Sequence, residues 1–144
     1  MKHQTEEAER WLKQARHEIE AAQADLEHAF FSDACYSAEQ AAQKALKGYL
    51  YLKGSRMVWK HSVKELLDEC ATYDSQFAAL IDAGRILDQY YIPTRYPDAL
   101  APPAVPFESY TETQAREAIA LAQNIVTQVE QSGEADLKGN LLKN

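Results

Sequence analysis

Apolar residues recur at spacings of three and four along most of this chain. Between Thr5 and His28 they fall at Ala8, Trp11, Leu12, Ala15, Ile19, Ala22 and Leu26. That is one stripe on an amphipathic helix, with Glu, Lys, Arg and Gln on the other faces. Ser32 is a good N-cap for a second helix, which carries Ala34, Ala38, Ala41, Ala42, Ala45, Leu46, Tyr49 and Leu50. Its alanines allow close helix approach at no cost in propensity, and Gly54 supplies the stop. The link between these two helices is short, so they should form a hairpin. Ser62 and Glu65 make the Ser-x-x-Glu capping box of a short helix through Val63, Leu66, Leu67 and Cys70. Asp74 or Ser75 opens the next, with Phe77, Leu80, Ile81, Gly84, Leu87 and Tyr91 facing inward. Pro93 ends that helix, because a proline pushes the residue before it out of the helical region. Thr111 and Gln114 suggest a second capping box, for a final helix that buries Ala115, Ala118, Ile119, Ala122, Ile125, Val126 and Val129 and stops at Gly133.

The pattern predicts an all-α fold, an up-and-down helical bundle of about five helices. One domain is expected over residues 1–133, with a disordered tail over 134–144. The only long loop predicted lies between Ile92 and Tyr110 and holds all 5 prolines, Pro93, Pro97, Pro102, Pro103 and Pro106. Such a loop inside a compact domain is usually functional or disordered.

Composition narrows the function classes. A chain of 144 residues is one domain by size and needs no staples to fold. A net charge of −7 argues against a broad electrostatic grip on DNA or RNA, while leaving room for a local phosphate pocket. Cys35 and Cys70 lack Cys-x-x-Cys spacing and read as small buried hydrophobes in a reducing cytosol. The opening MKHQTEEAER has no apolar signal-peptide core. No apolar run approaches the ~18 residues of a membrane span. A cytoplasmic location without membrane contact is therefore expected.

Few residues offer chemistry. Arg95, in TRYPD, carries a fixed charge whose planar fork suits phosphate or carboxylate oxygens. It could equally pair with Asp98 to organise the loop. Tyr90, Tyr91 and Tyr96 cluster around it, as stacking partners or as packing. Arg56 and His61, in RMVWKH, combine a guanidinium that can stabilise phosphorane charge with an imidazole that can move a proton. The simpler alternative is that His61 caps a helix or packs on Trp59. Lys44 and Lys47 lie a turn apart beside Gln40 and Gln43, as a small positive patch or a solvated face. No His or Cys spacing marks a metal site, and no glycine-rich phosphate loop is present. No cofactor is expected beyond a nucleotide ligand.

Three segments resemble the HEPN family of small helical domains. They are AERWLKQARHEIEAAQADLEHAFFSDACYSAEQAAQKALKGYLYLKG (Ala8 to Gly54), KHSVKELL (Lys60 to Leu67) and ILDQYYIPTRYPDA (Ile86 to Ala99). The last is the most specific, since helix periodicity gives no reason for an aromatic-proline-Arg-Tyr-Pro-Asp string. The resemblance implies a homodimeric bundle with the Arg95 segment near the dimer cleft, and a small nucleotidyltransferase as partner in a toxin–antitoxin-like pair. With the residues above, the expected role is a non-catalytic accessory subunit in which Arg95 contacts phosphate, Tyr91 and Tyr96 stack or seal, and Asp98 orients Arg95. Lys44 and Lys47 are secondary ligand contacts. The ribonuclease branch carries Arg, four to six residues, then His, late in the bundle. Here no His follows Arg85 or Arg95 within six positions, and the Arg56–His61 match falls between the second and third helices. RNA cleavage through Arg56 and His61 is the alternative, and a pure protein-interaction module is a third.

Overall fold

The computed structural model describes residues 2–143, with side chains described for residues 3–137. Helix α1 spans Lys2–Glu27, α2 Phe31–Leu52, α3 Val63–Ala71, α4 Ile81–Asp88 and α5 Glu112–Lys143. Short 3₁₀ turns cover Ser75–Leu80, Pro97–Ala99 and Pro106–Glu108. No strand occurs among the described residues. The five-helix bundle expected from periodicity is what forms.

Helix α2 is the hub, packing against α1, α5, α3 and α4. Its alanine stripe Ala34, Ala38, Ala41, Ala42 and Ala45 is wholly buried, so small side chains draw the neighbouring helices in. Bulk comes from Leu46, Leu50, Leu66, Leu67, Leu87 and Ile125, and from Tyr49 against Phe77, whose rings lie 4.8 Å apart. Cys35 and Cys70 are buried free thiols, and burial pushes the Cys35 thiol up to about 12. Among the described residues no helix is long and apolar enough to cross a membrane.

Local signals explain most helix ends. Gly54, at φ 104°, closes α2: Gly54 N donates to Tyr51 O and Ser55 N to Leu50 O, each at 3.0 Å. That pairing satisfies carbonyls the helix end would leave open. The Thr111–Gln114 box is reciprocal, with Thr111 N donating to Gln114 Oε1 at 2.9 Å and Gln114 N to Thr111 Oγ1 at 3.1 Å. Asp74, not Ser75, caps the turn before α4 by accepting from Gln76 N.

Several expected boundaries need correction. Ser32 does not cap α2; the cap position is Phe30, without a side-chain bond, because the chain reverses at Ala29 (φ 61°). Helix α4 ends at Asp88, five residues before Pro93, and this early exit buries Tyr90 rather than Tyr91. Helix α5 passes straight through Gly133. Beyond that point Asp136 pairs with Lys53 of the α2 C-cap at 3.0 Å, which ties the helix to the bundle. Residues 134–143 of the expected tail thus continue α5, while Asn144 and the side chains after Leu137 lie outside the described residues. The proline-rich loop also has a companion, since the stretch 53–62 between α2 and α3 is long and non-helical too.

Candidate functional site

The site grows from a polar stripe on the largely buried α2. Tyr36, Glu39, Gln40, Gln43 and Lys47 sit at helical spacing on a single face. Two non-helical segments cover that face, 53–62 carrying His61 and 89–96 carrying Tyr91 and Arg95.

The second segment is wound tightly where α4 stops. Thr94 Oγ1 donates to Tyr90 O at 2.7 Å, and Arg95 Nε donates to Tyr91 O at 3.1 Å. The turn itself is closed by Arg95 N donating to Ile92 O at 3.1 Å. These bonds satisfy carbonyls released by the end of the helix, and they fix the arginine stem. Its guanidinium carbon then lies 4.3 Å from the ring centre of Tyr36, 5.0 Å from that of Tyr96 and 5.2 Å from that of Tyr91. Three ring faces around one cation are each attractive by the ring quadrupole. Neither terminal nitrogen of Arg95 bonds to any described residue. The cation is held from the sides and left open at its tip.

On the far side of this group His61 stacks on Tyr91, with ring centres 5.8 Å apart and planes 11° from parallel. Its Nδ1 lies 3.2 Å from Gln43 Oε1 and 3.5 Å from Lys47 Nζ. Beneath it Glu39 is 0% exposed and accepts from Gln40 Nε2 at 2.7 Å and Gln43 Nε2 at 2.9 Å. Burial pushes its carboxyl up to about 7, against the two amide bonds that favour the charged form. Lys47 is held below its usual value by burial, which the nearby Glu39 opposes. Burial likewise raises the Tyr36 phenol, and Arg95 offsets part of that rise.

The structure brings together some of the sequence-picked residues and separates others. Arg95, Tyr91 and Tyr96 form one group, and His61 joins it through Tyr91. Asp98 does not orient Arg95: it is exposed in a 3₁₀ turn and forms no ion pair with the guanidinium. The Tyr91 carbonyl and three rings do that instead. Lys44 and Lys47 do not make an open patch, since Lys44 pairs with Glu18 of α1 and Lys47 is buried at 6% exposure, 5.9 Å from the Trp11 ring. Arg56 is exposed and makes no bond to His61. His61 turns the other way, toward Gln43.

Three participants were missed. Tyr36 and Glu39 belong to the alanine-rich α2, where periodicity draws the eye to the small residues. A polar Tyr-x-x-Glu-x-x-x-Gln-x-x-x-Lys row on a buried helix was the available signal. Asp88 is the third. Its carboxylate accepts from Ser62 Oγ at 2.7 Å, Val63 N at 2.6 Å and Lys64 N at 3.2 Å, which anchors the end of the His61 segment. No local sequence signal marks it.

Among the described residues, no group of three His, Cys, Asp or Glu side chains is placed to hold a metal ion. A separate cleft of about 480 Å³ opens between α1, α2 and α5, floored by Ala8, Leu12, Gly48, Tyr49 and Val129. No residue of the Arg95 and His61 site lines it.

An all-helical bundle with a polar, aromatic-walled arginine site beside its second helix is thus the class this chain represents. A family model described as the HEPN domain matches residues 8–132. The chain belongs to the HEPN family. A relative from Methanocaldococcus jannaschii, named "Putative toxin MJ1304", is 27% identical over 126 residues, 83% of each chain. The crystal structure of TT1696 from Thermus thermophilus is similar with a TM-score of 0.81 and 42% identity, over 87% of this chain and 97% of that one. The archaeal HEPN homologue ST0689 follows with a TM-score of 0.73 and 32% identity, over 88% and 98%. A HEPN domain protein of Thermotoga maritima has a TM-score of 0.66 and 30% identity, over 85% and 95%.

Proposed function

We propose that this HEPN protein binds the phosphate of a nucleotide at Arg95 and serves, without catalysis of its own, as an accessory subunit to a small nucleotidyltransferase. The pair would be toxin–antitoxin-like, cytoplasmic, and built on a homodimer. One observation carries the ligand reading: a guanidinium walled by Tyr36, Tyr91 and Tyr96, with both terminal nitrogens unbonded to any described residue. Those nitrogens match two oxygens of a phosphate, and Tyr96, 48% exposed, offers a face for a base. Met57, Trp59 and Ile92 are exposed on the same two segments, which supports a second copy or a partner docking beside the site.

The test is calorimetry with ATP. Wild-type protein should bind, Arg95→Ala should lose binding, and Arg95→Lys should recover only part of it because an ammonium lacks the fork. Unchanged affinity in Arg95→Ala removes the assignment. For the partner, a small nucleotidyltransferase should co-purify with the tagged chain.

A second reading, a ribonuclease toxin, is favoured by the toxin name of the M. jannaschii relative and by His61 and Arg95 meeting on Tyr91. It requires growth arrest on expression and loss of RNA cleavage in His61→Ala. An intact RNA pool in cells making the wild-type chain removes it.

A further inference from the structure

Glu39 and Gln43 lie one turn apart on α2, and their contact settles where a proton sits on a third side chain. Above about pH 7, where the Glu39 carboxyl is ionised, it can only accept, so Gln43 must present its amide nitrogen to it, at 2.9 Å. The amide oxygen of Gln43 is thereby turned toward His61 Nδ1, at 3.2 Å. An amide oxygen cannot donate, so the proton in that contact belongs to the imidazole. Lys47 Nζ approaches the same Nδ1 at 3.5 Å, the limit of hydrogen bonding and the weaker of the two contacts. The other ring nitrogen, Nε2, makes no bond to any described residue.

We propose that Glu39, acting through Gln43, is a positioning residue that holds His61 as the Nδ1–H tautomer, so that His61 Nε2 accepts a hydrogen bond from a sugar hydroxyl of the nucleotide whose phosphate Arg95 binds. The ring stacked on Tyr91 is fixed in angle as well as in tautomer. Tyr91 is shared by both groups, its ring centre 5.8 Å from that of His61 and 5.2 Å from the Arg95 guanidinium carbon. A lone pair offered there selects a ligand that carries an O–H. The sugar contact rests on the Arg95 reading, whereas the relay exists without any ligand.

Long-range proton–nitrogen NMR on the full chain at pH 8.5 reads the tautomer directly. The four histidines, His3, His17, His28 and His61, are assigned with the help of His61→Gln. His61 should show a protonated Nδ1 and a bare Nε2. In Gln43→Met, which keeps length and packing but loses the oxygen, the ring should shift toward the Nε2–H form. A wild-type ring protonated on Nε2, or a Gln43→Met ring identical to wild type, overturns the relay. Calorimetry then compares ATP with 2′,3′-dideoxy-ATP. Wild type should prefer ATP by roughly fivefold to tenfold, the value of about one hydrogen bond. His61→Phe, which retains the stack on Tyr91, should bind both alike. Equal affinities in wild type overturn the sugar contact while leaving phosphate binding at Arg95 intact. Loss of both ligands in Arg95→Ala, with the wild-type tautomer retained, separates the two sites of action. Failure of wild type to bind ATP at all removes the phosphate reading and the sugar contact together, and the tautomer still decides the relay.

Discussion

Removing the Asp88 carboxylate should cost more stability than any other single surface-proximal change near the site. The N–H groups of the first helical turn of α3 lack intrahelical acceptors. Val63 N and Lys64 N go to Asp88 and Glu65 N to Ser62 Oγ, before Leu66 N makes the first intrahelical bond, to Ser62 O. Ser62 Oγ itself donates to Asp88, so one carboxylate organises three of the groups that start the helix. A lost cap costs about 0.5–2 kcal/mol, and hydrogen bonds to a charged group contribute roughly 1.5–3 kcal/mol each before water replaces them. Asp88 is only half-buried, so water recovers part of this. The sum for Asp88→Ala is about 2–4 kcal/mol, or a fall in Tm of roughly 6–12 °C at this chain length. Ser62→Ala, which leaves the two backbone bonds to Asp88, should cost only about 1 kcal/mol. Urea unfolding followed by circular dichroism at neutral pH measures both. A loss below ~1 kcal/mol in Asp88→Ala, or equal losses in the two variants, would refute the role given to this carboxylate.

Two further outcomes follow from the geometry. The Glu39 carboxyl sits at about 7 in the folded chain, above its usual value of 4.5, so the folded state holds the extra proton between those values. Stability attributable to this residue is therefore present below about pH 4.5 and is lost as pH rises toward 7, by about 3 kcal/mol at most. Glu39→Gln should lack that slope, so its stability relative to wild type should improve from pH 5 to pH 8 in urea titrations; a constant difference would contradict the buried-carboxylate account. Gly84→Ala gains about 1 kcal/mol of helix propensity. Its Cβ, however, would stand 2.7 Å from Leu67 Cδ1 and 2.9 Å from both Cα and N of Lys64, so a net loss of roughly 1–3 kcal/mol is expected from overpacking, and a stabilised variant would show that α3 and α4 are less tightly packed.

The parts of this fold legible in the sequence are those set by neighbours in the chain. The inward stripes of α1 and α5, the Thr111–Gln114 box and the Gly54 stop each depend on a few consecutive residues. The misplaced ends have a common cause. Periodicity ran on past Asp88 because no glycine or proline intervenes before Pro93, and nothing local announces that Asp88 is needed at the start of α3. Gly133 reads as a stop, yet the helix continues because a contact from a distant residue, Lys53 to Asp136, holds its next turn. The candidate site divides the same way. Tyr91, Arg95 and Tyr96 were visible as one string. Tyr36, Glu39 and Gln43 reach them only through packing of α2 beneath two loops, and that packing also turned His61 from Arg56 toward Gln43. The pairing of Arg95 with Asp98 failed because the guanidinium is drawn to the three rings and the Tyr91 carbonyl, while Asp98 faces solvent in the next turn.

The central claim is that the open tip of Arg95 is a phosphate site. A crystal structure of the protein grown with ATP tests it most directly. Phosphate oxygens should lie within hydrogen-bond distance of both terminal nitrogens of Arg95, with the sugar toward His61 and Tyr91. A nucleotide bound instead in the cleft between α1, α2 and α5, leaving the guanidinium bare, would contradict it.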